Sequence, residues 1–464
     1  MAEKIVRFPD IPKDHYYEHY LSALIALSGR FVERSVVRRG EEEILELDIV
    51  STVFDDTDFE KAIIEIKGGK KWGFPDIFKV RGWMDYLDMK NAFFIVQDTT
   101  EKNIEYKRKI ANDLGICLLS NAQTDQKHLN DKEIEDSFGK IEFESRASAL
   151  SNLRYAFCLE DMMIGNLLRL EREESAKNGY TGYQKLSQYI HVIHNVSFFE
   201  ADPLNRISRI FQIFTENKNI TAGIINEDDV FGYPESTDGL TIPSEVFNNL
   251  FYRMQEFSPL YIALHAELMN RLLVIKSCVE YILLKKQTPR QEGLAGMLQR
   301  LREFQLPENL REGVSELEKK PHFYRYPFFW QIYVYLFGGF VLLSHKEEEY
   351  SLLSSITGVP IAEIDDALSV FDLLFPLQGE SWHHVPGKHQ LSLLKLFPIP
   401  LRGIGGNFRR QIYSNDDEKT FEGLNAALRL PAGDYTFNEM VKWNNLAYSV
   451  LSKDSNLVRT KNSL

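Results

Sequence analysis

The chain has 464 residues, 44% of them apolar and 26% charged, with a formal charge of −13. That length supports two to four domains with their own cores, and that composition is ordinary for a soluble globular protein. The negative total argues against a protein that coats nucleic acid, so any phosphate contact has to come from a local basic patch.

In chain order, the first helix is predicted from Asp14 to Val32. Asp14 suits an N-cap, Tyr17, Leu21, Leu24 and Ile25 recur at helical spacing, Glu18 falls in the first turns, and Gly29 is a stop signal. Phe31 to Arg38 reads as a strand, followed by a turn at Gly40. Glu46 to Lys71 reads as a β-hairpin. Leu45, Leu47 and Ile49 alternate with Glu46, Asp48 and Val50, Asp55-Asp56-Thr57-Asp58 is a polar turn, and Ala62 to Lys67 is an apolar run stopped by Gly68-Gly69. A helix from Asp76 to Leu87, a strand from Ala92 to Gln97, a helix from Ile104 to Leu114 and a strand from Gly115 to Leu119 complete an α/β domain over residues 1–122.

Asn121 to Lys140 is polar and without period, which marks a domain boundary. A mainly helical module is expected over 141–340. Its apolar stripes are Leu159 to Leu170, Ile207 to Phe214, a helix from Pro243 to Met254, and a long helix from Pro259 through Leu284 with Leu264, Leu268, Leu272, Ile275 and Val279 on one face. Phe328 to Leu343 is the most apolar run, but it is short and interrupted by Gln331 and Gly338-Gly339. A buried helix is expected there, not a membrane span. Residues 341–464 open on a helix-turn-helix-like unit around Thr357-Gly358-Val359-Pro360. Its second helix, AEIDDALSVFDLL, is acidic and would repel phosphates, so protein contact or packing is favoured over DNA reading. A wing over Gln378 to Pro386, a basic glycine-rich loop from Arg402 to Arg410 and one or two terminal helices follow.

Other chemistries find little support. Cys117, Cys158 and Cys278 form no CxxC pair, which argues against a zinc or disulfide framework and for a reducing, cytoplasmic setting. The first residues, MAEKIVRFPDIPKD, hold no signal-peptide core. His191 and His194 have metal-ligand spacing but no third ligand, and the same holds for His383, His384 and His389. GxxxxGK[ST], GxSxG and HExxH are absent, so P-loop ATP hydrolysis is not expected.

The charges inside the hairpin are the informative residues. Asp48 lies near the end of one strand, and Glu65 and Lys67, two apart, share a face of the next. If the strands pair, two carboxylates and an ammonium converge at one edge of a sheet. Carboxylates that close repel one another unless a cation sits between them, and a hard divalent ion suits oxygen donors.

In this pattern the N-terminal domain resembles the PD-(D/E)XK nuclease superfamily, the restriction-endonuclease-like fold of restriction enzymes, Holliday-junction resolvases and Mrr-type enzymes. Asp48 matches the first motif acid, Glu65-Ile66-Lys67 matches (D/E)XK, and Glu18 matches the acid many members carry on the first helix. Residue 47 is Leu where the eponymous motif has Pro. The resemblance implies cleavage of DNA phosphodiester bonds, with RNA as the alternative substrate. Asp48, Glu65 and the Ile66 carbonyl would bind Mg²⁺ or Mn²⁺, Lys67 would orient or activate water, and Glu18 would assist. Lys70, Lys71, Lys79 and Arg81 would cradle the phosphate backbone. By analogy with such fusions, the chain is expected to be a restriction or anti-phage defence effector. The helical module would then act as regulator or protein dock; the alternative is a nuclease subunit or interaction protein active only within a multi-protein complex. No membrane partner is expected, and self-association is left open.

Overall fold

The structure, a computed structural model, describes residues 15–39, 43–68, 72–97, 103–120, most of 132–160, 198–212, 259–287, 294–337 and 346–374. The chain divides into two compact units, one built on 5–55 and 59–157, the other chiefly on 158–455.

A five-stranded mixed sheet forms the first unit. Its strands are β1 (Phe31–Arg39), β2 (Glu43–Phe54), β3 (Phe59–Lys67), β4 (Asn91–Val96) and β5 (Ile116–Ser120), side by side in that order. β1, β2 and β3 are antiparallel neighbours, and β3, β4 and β5 run parallel. Parallel neighbours need a crossover, and the helices α2 (Phe74–Leu87) and α3 (Ile104–Asp113) supply the two. β3 is the central strand and Ala62, Ile63, Ile64 and Ile66 are all buried, which is why its apolar run does not alternate. The hairpin tip falls where the polar turn is expected, with Phe54 paired to Phe59.

The first helix, α1 (His15–Ala26), is shorter than predicted. Gly29 takes a left-handed backbone at φ +89° after Ser28 and Gly29 donate back to Ile25 and Ala26, and the chain re-emerges as β1 at Phe31. Asp14, expected to cap this helix, lies outside the described residues.

The polar stretch 121–140 is not a plain linker. It contains a helix, α4 (Lys132–Phe138), which buries Ile134 and Phe138, four residues apart. Phe138 packs on Phe93 of β4 with ring centres 4.3 Å apart. Glu133 takes the Ser120 backbone N–H (3.1 Å), the Ser120 hydroxyl (2.8 Å) and Arg108 (2.8 Å) at the end of β5. Within that stretch, residues 132–138 are therefore tied to the sheet by two apolar residues and one carboxylate.

The second unit is mostly helical where it is described. The helix Pro259–Gln287 was expected to show a single apolar stripe, but from Asn270 to Leu283 it is buried all round. Its charged residues are accordingly paired inside: Glu280 accepts from Arg206 at 2.5 Å and forms an ion pair with Lys276, 3.3 Å away. The helix Tyr326–Tyr335 is buried at every position, with the Trp330 indole N–H on the Ala367 carbonyl at 3.1 Å. No helix among the described residues is long and apolar enough to cross a membrane. The helices Lys346–Thr357 and Ile364–Leu374 flank the expected turn. There Gly358 has φ +70°, a backbone that L side chains rarely adopt, and a Cβ would also displace the Arg325 guanidinium, so glycine is favoured at this turn. The expected features at 161–196, 217–258 and 375–464, including the paired histidines, the wing and the Arg402–Arg410 loop, lie outside the described residues.

Candidate active site

The hairpin register brings the expected residues together. β2 and β3 pair from Phe54–Phe59 up to Ile49–Ile64, and the next step along that register sets Asp48 across from Glu65. Directly opposed residues project to one face, and Lys67, two on from Glu65, shares it. At this step the side chain replaces a ladder bond: the Ile66 backbone N–H donates to Asp48 Oδ2 at 2.7 Å. It is thus the Ile66 N–H that the structure places on Asp48, while the expected role fell on its carbonyl.

Glu65 is 2% exposed. Lys67 Nζ donates to Glu65 Oε1 at 2.6 Å, and Lys79 Nζ of α2 lies 3.8 Å from the same oxygen. Glu65 Oε2 is buried and has no hydrogen-bond partner among the described residues. Burial pushes the Asp48 carboxyl up to about 8, and the charges of Glu65 and, less strongly, Glu18 push the same way against the Ile66 hydrogen bond and Lys67. The Glu18 carboxylate on α1 thus acts on the same site. For Lys67, burial works against the charged form, but the hydrogen bond to Glu65 and the charges of Glu65, Asp48 and Asp76 outweigh it and raise the ammonium's pKa.

Two residues that the sequence reading did not single out belong here. Asp76, in the first turn of α2, accepts the Gly73 N–H on Oδ2 at 2.8 Å and turns Oδ1 toward Lys67 Nζ at 3.9 Å. An acid at that position reads as a helix cap, and only the end of β3 lying beside it reveals the second contact. Ser35 on β1 lies opposite Asp48, between the pairs Arg34–Ile49 and Val36–Leu47, and has φ +49°. A left-handed non-glycine residue is uncommon, and here it breaks the ladder beside the acid.

The basic residues divide. Lys79 is at the site and also lies over the Trp83 ring at 4.2 Å. Arg81 is not: its guanidinium binds Asp85 and the Leu114 carbonyl, the latter at 3.2 Å. Lys70 and Lys71 lie outside the described residues.

Among the described residues no three His, Cys, Asp or Glu side chains gather as a metal cage. The expected donor set is smaller, two carboxylates and a main-chain oxygen, and Mg²⁺ keeps several waters of its own. The donors fit such an ion. Glu65 Oε2 is a buried oxygen in need of a positive partner, and the burial and, after it, the Glu65 charge that drive Asp48 toward its neutral form are what a divalent cation offsets. No family model, no curated protein and no solved structure matches this chain.

Proposed function

We propose that this chain is a divalent-metal-dependent nuclease with a restriction-endonuclease-like N-terminal domain, hydrolysing DNA phosphodiester bonds. The observation that carries this reading is the convergence of Asp48, Glu65 and Lys67 on one face at the open end of the β2–β3 ladder, with Lys67 Nζ 2.6 Å from Glu65. Asp48 and Glu65 would hold Mg²⁺ or Mn²⁺, with the Ile66 carbonyl as a further donor. When bound, the ion supplies Lewis-acid polarisation of the phosphate and neutralises its charge.

The chain's own side chains do the rest. Lys67 brings a positive charge and three donors to the edge of the site, where it orients water and stabilises charge on the phosphoryl oxygens. Asp76 steadies that ammonium from α2, and Glu18 adds an acid from α1. Lys79, with its side chain half exposed beside Glu65, is placed to meet a backbone phosphate. By analogy with nucleases fused to large second modules, the helical unit serves as regulator or partner dock in a restriction or anti-phage effector.

The test is cleavage of supercoiled plasmid and of labelled RNA by the purified full chain in Mg²⁺, in Mn²⁺ and in EDTA. The expected result is metal-dependent cutting of DNA, lowered on the order of 10²- to 10³-fold in Glu65→Gln. Cutting that persists in EDTA, or that Glu65→Gln leaves untouched, overturns the assignment; cutting of RNA alone moves the substrate class.

A further inference from the structure

Beside the site lies a surface that the catalytic residues do not explain. Phe78 is 55% exposed and Tyr106 is 60% exposed. Phe74 meets Tyr106 edge to face, with ring centres 5.8 Å apart and planes at 83°. Phe74 and Phe78, four residues apart on α2, are neighbours on one helix face. Phe74 and Tyr106 thus touch, and Phe78 follows one helical turn on from Phe74, so the three rings line the start of α2 and α3. Single exposed apolar residues are ordinary, but a contiguous aromatic rank marks a contact surface.

Its position and charge identify the contact. Phe74 shares the first turn of α2 with Asp76, whose Oδ1 faces Lys67 at 3.9 Å, so the rank begins within one helical turn of the candidate catalytic centre. Lys79 follows Phe78 directly, and exposed Lys109 stands three residues beyond Tyr106. A chain with a formal charge of −13 gains little from phosphate contacts overall. Uncharged ring faces are the contact such a chain can offer to a nucleic acid without meeting that repulsion. In a duplex the base faces are already stacked on one another, whereas in a single strand they are free to stack on aromatic side chains.

Resting on the nuclease reading, we infer that Phe74, Phe78 and Tyr106 form a stacking platform that seats unpaired bases of a single strand, DNA or RNA, next to Lys67. The bond cut then lies in single-stranded nucleic acid or at its junction with a duplex.

The experiment is fluorescence anisotropy on the Lys67→Ala chain in Mg²⁺, in which cutting is slowed enough for binding to be read first. The probes are a labelled single-stranded DNA 20-mer, the RNA 20-mer of the same sequence and the corresponding DNA duplex, with the two single-stranded arms separating DNA from RNA. Single strands are expected to bind more tightly than duplex. Adding Phe78→Ala or Tyr106→Ala is expected to weaken single-strand binding roughly 5- to 150-fold each, while Phe78→Trp and Tyr106→Phe retain it. Equal binding of duplex and single strand, or alanine variants that bind single strands like their parent, overturns the platform. Cleavage by the unaltered chain separates the two claims. If ring-dependent binding is found and nothing is cut in Mg²⁺ or Mn²⁺, the nuclease reading fails and the platform stands. If cutting is found with no dependence on the rings, the reverse holds.

Discussion

Replacing Lys67 with alanine is expected to lower metal-dependent cleavage on the order of 10²- to 10³-fold, the cost of removing one charged donor from a charge-stabilising site. The same change should weaken the fold. Glu65 is 2% exposed and Lys67 is its 2.6 Å partner, so the alanine leaves a buried carboxylate oxygen without its donor. That costs about 1–3 kcal/mol, reduced to the extent that Lys79, 3.8 Å away, moves in. A divalent ion at the site would replace the lost positive charge. The variant's melting temperature should therefore rise more on adding Mg²⁺ than the parent's does, although its activity does not return. Thermal unfolding in EDTA and in Mg²⁺, run beside the cleavage assay, checks both halves. A variant that cuts like the parent shows that this amine takes no part in the chemistry.

Asp48→Asn is expected to abolish metal-dependent cleavage and to stabilise the metal-free protein at alkaline pH. The sign follows from the direction of the shift. The carboxyl is pushed up from 3.8 to about 8, so between those values the folded chain holds a proton that the unfolded chain has released. Its contribution to stability therefore falls as pH rises through that window, and stays low above it. Asparagine stays uncharged throughout, and its amide oxygen can still accept the Ile66 N–H that Asp48 accepts at 2.7 Å. In EDTA at pH 9 the variant should exceed the parent by at least about 1 kcal/mol, or about 2–4 °C in Tm. The gap should close toward pH 5. Mg²⁺ should narrow it at pH 9 by stabilising only the parent. A variant less stable than the parent at pH 9 in EDTA would mean that favourable contacts outweigh the burial and neighbouring charges that disfavour the Asp48 carboxylate. Such an exchange of stability for chemistry is common where a site gathers like charges.

Much of this arrangement is legible in the sequence. The period-2 alternation around Asp48 and the i, i+2 spacing of Glu65 and Lys67 fix which side chains share a face, and a short polar turn fixes the register. Arg81, whose guanidinium binds Asp85 and the Leu114 carbonyl, is set apart from Lys79 by helix geometry. It lies two residues, about 200° of rotation, from Lys79, so one helix cannot easily aim both at the same point. Asp76 was hidden because its capping role explains it fully in sequence. Ser35 was hidden because nothing about a serine in a strand announces a left-handed backbone. The charged core of the helix Pro259–Gln287 was missed for another reason. Leu272, Ile275 and Val279 mark a stripe, and the burial of Lys276 and Glu280 on its other sides depends on Arg206, seventy-four residues before Glu280, arriving as a partner.

Mn²⁺ binding followed by electron paramagnetic resonance addresses the central claim most directly, because it needs no substrate, partner or trigger. The full chain should take up Mn²⁺ at a site that Mg²⁺ competes for, and that site should be lost in both Asp48→Asn and Glu65→Gln. Mn²⁺ uptake that is absent from the parent, or that survives unchanged in the two variants, would contradict it.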